Sequence, residues 1–84
     1  MRPLSRRVAT LSPMKANSGI VIANGKQLQT EVPRSIEAFL YEQQLLPRSV
    51  VVELNGEAVA PSEFAQRLIH SGDRLEIVKI VAGG

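Results

Sequence analysis

The sequence predicts an α+β domain: a small mixed sheet crossed on one face by a single main helix and ending in a free extended tail. Three observations carry the prediction. Strand-forming runs meet at Asn24-Gly25 and again at Asn55-Gly56, and Asn-Gly is the pair most favoured in two-residue type I′ hairpins. Between the hairpins lies one stretch with apolar residues at helical spacing, "SIEAFLYEQQLLP". After the last strand-like run, "RLEIVKIV", the chain reaches Gly83-Gly84 with no following element for a turn or cap to serve.

The elements follow in order. In "IVIANGKQLQTEV", flanking the first turn with Ala23 and Lys26 sets Val21 opposite Leu28 and Ile22 opposite Gln27, so Val21 and Leu28 share the core face. The next stretch predicts a helix of about eleven residues, N-capped by Ser35, with Ile36, Phe39, Leu40 and Leu46 as its buried stripe and Pro47 closing it. Tyr41, opposite the stripe, belongs on the surface. "SVVVEL" is a strand with Val50, Val52 and Leu54 on one face and Val51 and Glu53 on the other, and it turns at Asn55-Gly56. Pro61 suits the first position of a short helical turn, anchored to the core by Phe64 and Leu68 at i and i+4. Ser71-Gly72-Asp73 reverses the chain into the last strand, where Leu75 and Ile77 face one side and Glu76, Val78 and Ile80 the other. The order β-β-α-β, short helical turn, β is that of the β-grasp in outline, an arrangement that places the final strand in the middle of the sheet beside the first.

Bulk properties narrow the function. Eighty-four residues make one small domain with little room for an active-site cleft. The chain has no cysteine, which removes disulfides, zinc–thiolate sites and a cysteine nucleophile. Its apolar runs fall short of the roughly 18 residues of a membrane span, and the N-terminus lacks a secretory signal, so a soluble, cytoplasmic protein with no membrane partner is expected. The net charge of +2 is uneven: residues 1–19 carry Arg2, Arg6, Arg7 and Lys15 and no acid. The remainder is net acidic and poor in aromatics, which argues against nucleic acid as a partner. The expected organisation is a flexible basic arm over 1–19, dispensable or removed by starting at Met14, a folded domain over 20–82, and an extended tail over 83–84.

Across residues 20–84 the chain resembles the ThiS family, the sulfur carriers of thiamin thiazole biosynthesis. The resemblance rests on Asn55-Gly56-Glu57, Pro61, Phe64-Ala65, Leu68, Gly72-Asp73, Glu76-Ile77-Val78 and Gly83-Gly84 in one register. It implies a carrier rather than an enzyme, with no bound cofactor and no catalytic side chain of its own. An E1-like adenylating enzyme of the ThiF type would use ATP to activate the carboxylate of Gly84. Sulfur from a cysteine desulfurase would then displace AMP to leave a thiocarboxylate, which a thiazole synthase of the ThiG type would consume. Two glycines suit that task, because a tail without Cβ atoms enters a narrow site in extended form and adopts angles closed to other residues.

Other candidates are weaker. His70 is the only histidine and has no second ligand or triad partner in the sequence, so neither metal binding nor catalysis is expected of it. Val51, Val78 and Ile80 are expected to form an apolar patch on the face away from the helix, next to the tail, as the partner-binding surface of a carrier that is monomeric when free. Two relatives in chemistry remain as alternatives: the small subunit of molybdopterin synthase and a ubiquitin-like protein modifier. Resemblance to the former would include prolines just before a terminal Val-Ala-Gly-Gly or similar, where this chain has Lys79 and Ile80.

Overall fold

A computed structural model describes residues 18–80. Strands β1 (Ser18–Ala23) and β2 (Lys26–Glu31) form the first hairpin, followed by the two-residue strand β3 (Arg34–Ser35) and helix α1 (Ile36–Glu42). A 3-10 turn at Pro47–Ser49 leads into β4 (Val50–Leu54) and β5 (Glu57–Val59). A second 3-10 turn at Pro61–Glu63 precedes β6 (Leu68–Ile69) and β7 (Arg74–Lys79).

The main sheet has the order β2-β1-β7-β4-β5, so the last strand is central and runs parallel to the first. Its register fits the alternation of the sequence: Val21 pairs with Leu28 across the first hairpin, and Leu54 with Leu75 across β4 and β7. Both hairpins turn through left-handed Asn-Gly pairs, at φ 52° and 82° for Asn24-Gly25 and 52° and 87° for Asn55-Gly56, as type I′ geometry requires. Val21, Val50, Val52, Leu54 and Leu75 from the inner face meet Ile36, Phe39 and Leu40 of α1 and Phe64 in one core. Complete burial of the two phenylalanines makes each worth about 3–5 kcal/mol against alanine.

The helix is shorter than its apolar spacing predicts. Ser35 caps its N-terminus, its Oγ accepting from the Ala38 N–H at 3.0 Å, but the helix ends at Glu42. The end is a Schellman motif: Gln44 takes φ +64°, its N–H donates to Tyr41 O, and the Leu45 N–H reaches Leu40 O at 2.8 Å. Leu45 therefore packs against the core and Leu46 is exposed. Pro47 opens the next turn rather than closing the helix.

Leu68 also departs from expectation. The helical turn ends before it, and Leu68–Ile69 runs extended against Arg34–Ser35, so Ile69 is buried and Leu68 faces out. Strands alternate sides residue by residue, and Ile69 takes the core position assigned to Leu68.

The folded part begins before residue 20. Ser18 and Gly19, expected from the sequence to belong to the flexible segment, pair with Glu31 and Thr30 in the sheet; residues 1–17 lie outside the described residues. Gly19 is held there by close packing: a Cβ would lie 2.7 Å from Val32 Cγ2 and 2.8 Å from Ser71 Cβ. Gly19→Ala is expected to lower stability by about 1–3 kcal/mol through this overpacking, read as a lower urea midpoint at unchanged slope.

Candidate functional site

The face of the sheet turned away from α1 carries Val51, Val78 and Ile80, the three residues expected from the sequence to form an apolar patch. Val51 and Val78 are direct cross-strand neighbours in β4 and β7, and the two residues are 53% and 59% exposed. Ile80, two residues beyond Val78 on the same side, is also exposed, and its N–H donates to Ser49 O at 2.8 Å, so the turn leading into β4 still holds the chain there. The three apolar side chains thus sit together at the end of the sheet from which the sequence continues toward Gly83 and Gly84. Those two glycines lie outside the described residues.

The same face holds features that the sequence reading missed. Glu53 and Glu76 are directly paired one step from the valines, and neither forms an ion pair among the described residues. Like charges set opposite one another disfavour the sheet, so Glu76→Gln is expected to raise stability by about 0.2–1 kcal/mol in a thermal or urea melt. Farther from the tail, Ile20 is exposed and Ile22 half-buried on this face, a second apolar strip whose signal was the alternation in "GIVIA".

The two hairpin asparagines also hold the central strand. The Asn24 side chain accepts from the Ile77 N–H at 2.7 Å and donates to Ile77 O at 3.0 Å, supplying the ladder bonds that β1 would make if it continued. Asn55 accepts from the Arg74 N–H at 2.9 Å and donates to Asp73 Oδ1 at 3.1 Å. The amide offers a donor and an acceptor together whereas an ionised carboxylate only accepts, which separates Asn from Asp at positions where either would make the turn. Asn24→Asp is expected to retain the hairpin yet cost about 1–3 kcal/mol, because a carboxylate then faces the Ile77 carbonyl. A urea titration reads the loss.

His70, Ser71 and Asp73 do structural work. Asp73 Oδ2 accepts from the His70 N–H at 2.8 Å, and Ser71 Oγ accepts from the Ile20 N–H at 3.3 Å, which ties the turn to β1. The His70 ring is exposed, with Nδ1 3.9 Å from Asp73 Oδ2. Among the described residues no group of three or more His, Asp or Glu side chains is placed to hold a metal ion, and no helix is long and apolar enough to cross a membrane.

Among the described residues, a central final strand parallel to the first, a hairpin on either side of it and one helix beneath define a ubiquitin-like β-grasp protein. Three comparisons place it within that class. The family model for the ThiS family matches residues 17–84. A thiazole synthase of Paramagnetospirillum magneticum (strain ATCC 700264 / AMB-1) is 38% identical over 64 residues. That match takes in 76% of this chain and 20% of the relative, so the chain spans about one fifth of the length of the curated protein it matches. The crystal structure of the thiamine biosynthesis protein ThiS from Geobacter metallireducens superposes with a TM-score of 0.67 at 25% identity, over 77% of this chain and 99% of that one. The chain belongs to the ThiS family.

Proposed function

We propose that this protein is a sulfur carrier for formation of the thiazole ring of thiamin, and that the group it carries is a thiocarboxylate on Gly84. The family match, which runs through residue 84, is the observation that carries the reading. A terminal carboxylate is an anion at neutral pH and a poor electrophile, so it has to be activated. An adenylating enzyme joins it to AMP from ATP with release of pyrophosphate. A sulfur nucleophile then attacks the acyl carbon, the C–S bond forms as the C–O bond to AMP breaks, and AMP leaves. The carrier contributes no catalytic side chain and binds no cofactor; ATP is held by the activating enzyme.

A thiazole synthase is the proposed acceptor, supported by the relative of that name, which contains a segment similar to this chain within a longer polypeptide. Cysteine desulfurase is the proposed origin of the sulfur, whose persulfide reaches the sulfide level of a thiocarboxylate only when a thiol reductant supplies two electrons and the S–S bond is broken, and the cytoplasm is the proposed compartment. The apolar patch of Val51, Val78 and Ile80 is the proposed docking surface, because it brings a partner to the end of the sheet nearest Gly83-Gly84.

The test is ATP–pyrophosphate exchange by a ThiF-type enzyme. Exchange should depend on this protein and saturate with it. Exchange at the same rate with and without it would remove the carrier role.

A further inference from the structure

The central strand has a free edge close to its C-terminal end. In β7 the peptide groups of Arg74 and of Ile80 just beyond it bond toward β4, and those of Leu75 and Ile77 toward β1. Pairing with β1 stops at Ala23 opposite Leu75, because the chain turns away at Asn24-Gly25, and the Asn24 side chain then serves Ile77. Lys79 is the next residue on this side. Its N–H and C=O have no partner among the described residues. Beside it lies a groove of about 410 Å³ with Leu28, Phe39 and Leu45 in its wall and Lys26 and Lys79 at its margin. A second depression of about 280 Å³ shares Leu45 and Lys79 with the first. Neither lysine forms an ion pair among the described residues.

We propose that this edge is a strand-addition site for the adenylating enzyme, an inference that rests on the carrier function argued above. An extended segment of the enzyme accepts from the Lys79 N–H, donates to the Lys79 C=O, and lays an apolar side chain into the groove against the partly buried Leu28 and Leu45. An open strand edge with unpaired donor and acceptor is recognised by another backbone, and the adjoining pocket selects the alternate side chain. The two lysines at the margin fit a carboxylate beside that apolar residue. They also disfavour a second copy of this chain, which would bring the same lysines against themselves. Pairing at Lys79 fixes the direction of the strand just before the segment that ends in Gly84, so the edge aims the reacting group while the outer patch supplies area.

The experiment is amide exchange by NMR on the full chain, free and bound to the enzyme without ATP, with adenylation measured in parallel. The Lys79 amide should exchange at least about tenfold more slowly in the complex, the effect of one backbone hydrogen bond. Lys79→Pro removes that N–H while leaving the bonds toward β4, made by neighbouring residues, and should raise KM for the carrier about tenfold at an unchanged unfolding midpoint. An unchanged Lys79 exchange rate in a complex that adenylates the parent chain normally overturns the edge proposal and leaves the carrier function standing. Failure of the enzyme to adenylate the parent chain sinks both. Protection already present in the free chain overturns the proposal too: in favour of self-association if it rises with protein concentration, and of residues 1–17 as occupant if their removal abolishes it.

Discussion

A chain extended by one alanine after Gly84 is expected to fold as the parent does and to form no detectable thiocarboxylate. The reacting group in the proposed mechanism is a main-chain carboxylate, and one added residue moves it by about 3.3–3.6 Å along an extended tail. That displacement exceeds the tolerance of a near-attack arrangement, in which reacting atoms must already lie about 3–3.5 Å apart. The domain has no reason to respond, since its core and both hairpins lie within residues 18–80. Matched urea midpoints together with loss of ATP–pyrophosphate exchange are the expected pair of results. His70→Ala, by contrast, should keep both the parental urea midpoint and the parental rate of exchange, because the exposed ring is not asked to do chemistry and the turn is held by the His70 main chain.

Val78→Asp is expected to weaken capture by the adenylating enzyme by at least about tenfold, or roughly 1.4 kcal/mol, while the fold persists. The side chain is more than half exposed on the outer face, so aspartate remains hydrated in the free protein. In the complex it would be taken out of water against apolar atoms, with Glu76 and Glu53 nearby to oppose any compensating rearrangement. Calorimetric titration reads the affinity and thermal unfolding controls for the fold. Unaltered affinity would remove the outer patch from the mechanism and leave the tail and strand edge to account for recognition.

The elements that sequence alone located are those whose signals are local. Asn24-Gly25 and Asn55-Gly56 admit few backbone conformations, so the turns, the registers flanking them and the buried or exposed sense of each long strand followed directly. The helix end was illegible because its left-handed residue is Gln44, where glycine or asparagine is usual, and Leu45 and Leu46 are interchangeable until the Schellman turn chooses between them. The β3–β6 pair was hidden for a different reason: two-residue strands distant in sequence carry no periodicity and are fixed only when tertiary packing brings Arg34 beside Ile69. In the site, Val51, Val78 and Ile80 emerged from alternation, but the Glu53–Glu76 pair and the Asn24 clip needed the relative register of strands that no turn connects.

The central claim is that Gly84 carries sulfur, and mass spectrometry of the C-terminal peptide tests it most directly. The protein is incubated with its adenylating enzyme, ATP and sulfide, then digested without reductive or alkaline treatment. A peptide ending at Gly84 with one oxygen replaced by sulfur, formed only when ATP is present, is the result expected. Sulfur found elsewhere in the chain, or an unmodified Gly84 after ATP has been consumed, would contradict the account.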